Sequence, residues 1–132
     1  MQPISVSIRV SVGELLDKLS ILELKCQRIA DPILLEHVRR EWAELARKRA
    51  EVLGPLGGDL QQAFDRLRAV NETLWDVEQA IRDKEAEGNF DDRFIELARR
   101  VYQTNDERAR IKQSINEATR SALREVKSYA TN

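Results

Sequence analysis

The stretch VYQTNDERARIKQSIN, residues 101–116, decides how the chain folds. It reads as helix, yet polar residues stand where an apolar seam is expected. On a wheel with Val101 as zero and about 100° per residue, Phe94, Ala98, Asn105, Arg108, Lys112, Asn116 and Thr119 fall together. They share roughly 80° of arc. Leu97, Ile111, Ile115, Ala118 and Ala122 flank them. The polar set therefore borders the core side of the helix. Burying Arg108 and Lys112 without partners would cost several kcal/mol, so they must be paired, be wet or hold an anion.

Working outward, this helix starts at Asn89 or Asp91 and is expected to run to about Lys127, a rod of roughly 55 Å. Thr104 and Glu107 have capping-box spacing and could interrupt it. The preceding helix stops at Gly88 and has the seam Leu67, Val70, Leu74, Val77 and Ile81. A second row lies beside that seam: Phe64, Asn71, Trp75, Glu78 and Arg82. GPLGGD, residues 54–59, is the strongest break in the chain, with Asp59 as the expected cap.

The N-terminal half supplies two more helices. Ser11 and Glu14 have the S-x-x-E spacing of a capping box. Leu15, Leu19, Leu22, Cys26 and Ile29 then form a seam, while Leu16, Ile21 and Leu24 lie off it. A helix apolar on several sides belongs at the centre of a bundle or at a subunit interface. Asp31-Pro32 ends this helix and opens the next. Leu34, Leu35, Val38, Trp42, Leu45, Val52 and Leu53 are the expected buried side of that helix, with Arg49 in the same seam. Before all of these, Ile4, Val6, Ile8, Val10 and Val12 alternate with Ser5, Ser7, Arg9 and Ser11, a strand pattern found nowhere else in the chain. A lone strand needs a partner for its backbone groups. The same strand of a second copy, paired antiparallel about a twofold axis, is the simplest one.

The expected fold is all-α. It is one domain over residues 1–132, with a short N-terminal β-strand or arm at 3–12 and an elongated antiparallel bundle of four main helices with coiled-coil-like seams over 13–132. A homodimer through the strand and helix one is expected.

Composition narrows the function classes. Of 132 residues, 34% are charged, and the signs interleave to a net charge of −1. The chain lacks the basic stripe of a nucleic-acid binder. It has no apolar run long enough to span a bilayer and no basic-then-apolar leader at its start. Cys26 is the only cysteine, which rules out an intrachain disulfide, and a cytoplasmic setting is expected. His37 is the only histidine, so a di-metal bundle with Glu-x-x-His on two helices cannot be built. Glu41 and Glu44 lie on a face crowded with Arg, and Cys26 is expected as a buried, inert thiol. Trp42 and Trp75 are expected as core or interface anchors. No glycine-rich phosphate loop and no Ser–His–Asp constellation can be assembled, and no cofactor is expected.

Three readings of the polar row stay open. Its cations pair with carboxylates such as Glu78, Glu14 or Asp17. Or they form a buried network that fixes helix register. Or Asn71, Glu78 and Arg82 face Asn105, Arg108, Lys112 and Asn116 across an anion site, in which Glu78 is the one candidate base.

The strings VSVGELLDKLSILELK, VNETLWDVEQAIRDKE, FDDRFIELARRVYQTNDERARIKQSIN and EVKSY resemble a bacterial family annotated only as a domain of unknown function. The resemblance spans nearly the whole chain. It implies a short, single-domain helical protein, with some members in the setting of surface-polysaccharide or lipopolysaccharide synthesis. Matching positions include Glu14, Lys18, Asn71, Trp75, Glu78, Arg82, Tyr102, Asn105, Asp106, Arg108, Lys112 and Asn116. Val126 departs from the pattern, which would place a second acid before the lysine. The resemblance brings no catalytic residues with it. The expected function is a non-enzymatic accessory or interaction module, with a possible protein partner. The alternative is a small-molecule-binding protein or enzyme acting on a phosphorylated or sugar-nucleotide-like anion between helices three and four.

Overall fold

A computed structural model describes residues 2–128, with four α-helices in the order α1 (Val12–Arg28), α2 (Pro32–Leu53), α3 (Gly58–Glu87) and α4 (Asp92–Thr119). Tyr129, the end of the EVKSY string, lies outside the described residues.

Side chains set most of the helix ends. Ser11 caps α1 by accepting the Glu14 N–H at 3.0 Å. Asp31 accepts from the N–H groups of Ile33 and Leu34, and Pro32 takes the first helical position of α2, where its missing N–H is harmless. The cap of α3 is Gly57 and not Asp59, because the helix starts before Asp59 and leaves that acid in its first turn. A carboxylate there still faces the positive end of the helix dipole. Gly88 ends α3 with φ 66°, the left-handed conformation that glycine adopts without steric cost. Asp91, not Asn89, caps α4 through the Phe94 N–H at 3.0 Å. Lys84 closes the same turn with an ammonium 2.9 Å from Asp91, and this hydrogen bond holds the Asp91 carboxyl below its usual range.

Three expectations are corrected. α4 runs unbroken through Thr104, which is buried in the middle of the helix, so Thr104 does not cap a new start. The helix ends at Thr119 and not near Lys127, because Arg120 turns into the left-handed region at φ 54°, ψ 44°. Its 28 residues make a rod of roughly 42 Å. Residues 2–10 form no strand, and no strand occurs among the described residues. A strand exists only as part of a ladder, and this chain brings no second strand to the first. Ile4, Val6 and Ile8 are 91%, 80% and 78% exposed.

α1 is the central element and packs against α2, α3 and α4. Leu16 and Leu19 meet Leu67 and Val70 of α3 and Ile111 and Ile115 of α4 in the main core. The apolar residues on several sides of α1 are thus covered within one chain. α2 packs mainly on α1, with Leu45 and Leu53 reaching the edge of the main core. No residue of α2 is buried, against the expectation of a buried side. Leu35, Val38, Leu45 and Leu53 are half-buried, whereas Leu34, Trp42 and Val52 are exposed. Arg49 is half-buried and donates to the Gly54 carbonyl at 2.8 Å. Cys26 is half-buried, not buried, and Trp75 is half-buried with the Arg28 guanidinium 5.4 Å from its ring centre.

Candidate functional site

The polar row of α4 meets α1 and α3 in one buried network. α1 and α4 run antiparallel there: Gly13 lies against Asn116, and Asp17 lies against Lys112 and Arg108. Lys112 is buried with three carboxylates around its ammonium: Glu14 at 2.7 Å, Glu125 at 2.9 Å and Asp17 at 3.7 Å. Asp17 is itself buried and accepts from the Asn71 side-chain amide at 2.8 Å. The same amide nitrogen donates to Ser20 Oγ at 2.8 Å, and Ser20 Oγ donates to the Asp17 carbonyl at 2.7 Å. Asn71 Oδ1 then receives an Arg108 N–H at 3.3 Å. Within this network each of these side chains finds a counterpart, which is the condition for it to be tolerated in a low-dielectric core.

Asn116 does a second job. Its Oδ1 accepts the Gly13 N–H at 2.7 Å, and Ser121 Oγ accepts the Val12 N–H at 3.1 Å. With Ser11 on Glu14, the first three N–H groups of α1 are all satisfied, two of them by the far end of the chain. The capping box is half used: Ser11 caps, but the Glu14 carboxylate turns away to Lys112. Gly13 makes this approach possible. A Cβ there would lie 2.7 Å from the Lys112 carbonyl oxygen and 3.0 Å from Asn116 Oδ1.

Electrostatics follow from this packing. Burial pushes the Lys112 ammonium down, but its hydrogen bonds to Glu14 and Glu125 and the fields of Asp17 and Glu14 outweigh burial and raise it. The hydrogen bond from Lys112 is the main cause that lowers the Glu125 carboxyl, against a smaller effect of burial. Lys112 is therefore a cation at neutral pH.

The seven expected site residues separate into two groups. Asn71, Arg108, Lys112 and Asn116 belong to the buried network or its helix cap. Glu78 and Arg82 pair with each other at 2.7 Å on the outer part of α3, away from Lys112. Asn105 is half-buried on α4. Of the named carboxylates, Glu14 and Asp17 neutralise the cations and Glu78 does not. A groove of about 440 Å³ runs along α3, lined by Ile21, Leu24, Asn71, Leu74, Trp75, Glu78, Gln79, Arg82 and Arg108. Arg108 links the two regions, since it holds Asn71 and also faces the groove. Among the described residues, no group of three or more His, Cys, Asp or Glu side chains is arranged to hold a metal.

Sequence reasoning missed Gly13, Ser20, Ser121 and Glu125. A glycine in the first turn of a helix, where it weakens the helix, was the available signal for Gly13. Ser20 falls one turn after Asp17 on the same face. Ser121 carried no signal, and Glu125 carried only its place at the head of the EVKSY string, because a helix drawn to Lys127 hides the turn that folds both back. No helix is long and apolar enough to cross a membrane among the described residues.

No curated protein and no solved structure matches the chain. The pattern of the family of unknown function DUF6165 matches residues 6–132, and the chain belongs to that family.

Proposed function

We propose that the protein is a non-enzymatic, cytoplasmic interaction module that works as a homodimer, joined through the arm at residues 3–12 where it enters α1. The observation that carries this reading is the arm. Its alternating Ile4, Val6 and Ile8 are almost fully exposed, and the arm has no ladder partner among the described residues. Alternation suits a strand with one covered and one open face, and an antiparallel copy of the same arm supplies the missing backbone hydrogen bonds. The apolar sides of α1 are largely covered by its own chain, so of the two elements expected at the dimer contact the arm is the one left open. The network at Lys112 takes the structural role in this reading: it fixes the register of α4 on α1 and so sets where the arm leaves the bundle. The resemblance to bacterial proteins in the setting of surface-polysaccharide synthesis supports an accessory role of this kind.

Amide hydrogen exchange tests the reading. Amides of residues 4–10 should be protected in a concentration-dependent way and lose that protection in the double variant Ile4→Lys, Ile8→Lys. Exchange at the rate of an open chain at every concentration would refute it.

A second reading rests on the groove along α3. Arg108 stands at one end, Trp75 forms a wall and the Glu78–Arg82 pair lies at the other end. A phosphorylated sugar or nucleotide sugar would place its anion on Arg108. Thermal stabilisation by such compounds that is saturable and lost in Arg108→Ala would support this site. No shift across the set would exclude it. Lys112→Ala is the wrong control, since it disrupts the core.

A further inference from the structure

The chain does not simply end after α4. Arg120 turns into the left-handed region, and the Ser121 N–H bonds the Asn116 carbonyl at 2.9 Å, so the direction reverses. Residues 121–128 then run back along α4: Glu125 sits on Lys112, and Lys127 sits 3.7 Å from Asp106 one and a half turns earlier on the helix. This segment has no helical or strand structure, and none of its residues is buried. Val126 is 84% exposed, and Leu123, 36% exposed, is the one large apolar side chain of the segment that is mostly covered. The closed position of the segment depends on charge, on the Ser121 cap and on Leu123.

Between the segment and α4 lies a cavity of about 400 Å³. Arg110, Lys112, Gln113, Asn116 and Lys127 line it with donors, Asp106 and Glu125 line it with carboxylates, and Asp106 is taken up by Lys127; the cavity shares no lining residue with the groove along α3. Glu125 is the only acid on the segment. Charge bookkeeping singles it out. Glu14 and Asp17, both on α1, already balance Lys112 and Arg108, all four fixed on helices. Glu125 is the surplus carboxylate, attracted first by its hydrogen bond from Lys112 and then by the fields of Lys112, Lys127 and Arg108.

We propose that residues 120–128 are a displaceable strap, and that the Glu125 carboxylate is a tethered occupant of an oxyanion site on Lys112. The site takes a compact oxyanion, phosphate or carboxylate, which replaces Glu125 on the Lys112 ammonium and finds Arg110, Gln113 and Asn116 around it. Binding then frees the strap. A tethered group competes at an effective concentration in the millimolar range, so the free anion binds the wild-type chain weakly.

The test uses the full chain, with inorganic phosphate as probe and sodium chloride at matched ionic strength as reference. Nitrogen-15 chemical shifts report binding, and tryptic cleavage after Arg124 reports strap release. Glu125→Gln should bind phosphate at least about tenfold more tightly than wild type, with shifts centred on Gln113 and Asn116. It should also be cut faster after Arg124. Adding Arg110→Gln, at an exposed position of the same cavity, to Glu125→Gln should weaken phosphate binding severalfold without touching the core. Circular dichroism of Glu125→Gln should match wild type, since an exposed segment is altered. Equal phosphate affinity in Glu125→Gln and wild type would overturn the proposal, and so would an effect of chloride as large as that of phosphate.

Discussion

Lys112 is a buried cation held by acids from two different parts of the chain, and its worth lies in what it leaves behind when removed. Lys112→Met keeps the volume but strands Asp17, which is almost fully buried. A loss of about 3 kcal/mol is expected in urea denaturation. Adding Asp17→Asn should recover about 1–2 kcal/mol of that loss relative to the sum of the single variants, because the two act on one interaction. Strict additivity would contradict a structural network. Gly13→Ala should cost about 2 kcal/mol despite the better helix propensity of alanine. The obstruction is the backbone oxygen of Lys112 at 2.7 Å, which cannot swing aside. That the row borders the core was legible in the periodicity of residues 94–119. Which acids meet it was half legible: Glu14 and Asp17 were among the candidates, but distance along the chain concealed Glu125.

The pair Lys112–Glu125 also sets a pH dependence. Glu125 is lowered in the folded chain, so its contribution is complete above the ordinary glutamate value of about 4.3 and is lost as pH falls through its lower folded value. Lys112 is raised, so its contribution is complete below about 10.4 and is lost only as pH rises through its higher folded value. The stability difference between wild type and Glu125→Gln should therefore be constant between about pH 5 and pH 9 and shrink below about pH 4. Urea midpoints across that range check it, and a difference unchanged at low pH would contradict the ion pair.

At the scale of elements, the sequence was most legible where a side chain or a glycine does the capping. Ser11, Asp31, Gly88 and Asp91 mark helix ends because each satisfies backbone groups in its own vicinity. The end of α4 carries no such mark. Arg120 takes a left-handed conformation that costs a non-glycine residue roughly 1 kcal/mol, and tertiary bonds to α1 and the strap impose it. Arg120→Gly should accordingly stabilise the chain by up to about 1 kcal/mol in thermal unfolding. A loss of stability would mean that the Arg120 side chain contributes more than its backbone strain removes. The Thr104–Glu107 spacing misleads for a related reason: the core of α3 and α4 continues past it, and burial of Thr104 overrides a local capping signal. Helix two misleads in the opposite sense, since an amphipathic stripe shows which side could be covered and not how much of it is.

The whole molecule has one central helix and two elements held less completely. α2 has no fully buried residue, and the arm leaves the bundle with Ile4, Val6 and Ile8 in the open. The alternation that reads as strand and the extended, unladdered arm are compatible once strand formation is assigned to association. A sequence records the environment of the assembled protein, while one chain can show only its own part. Ile4→Lys with Ile8→Lys should leave the helical circular dichroism of the chain unchanged, because these side chains contact little within it. The mass of the wild-type protein in solution, by size-exclusion chromatography with light scattering at micromolar concentration, tests the central claim most directly. A dimer joined by the arm requires twice the chain mass of 15.2 kDa for wild type and the single chain mass for the double arm variant. A wild-type protein that elutes cleanly at 15.2 kDa would contradict it.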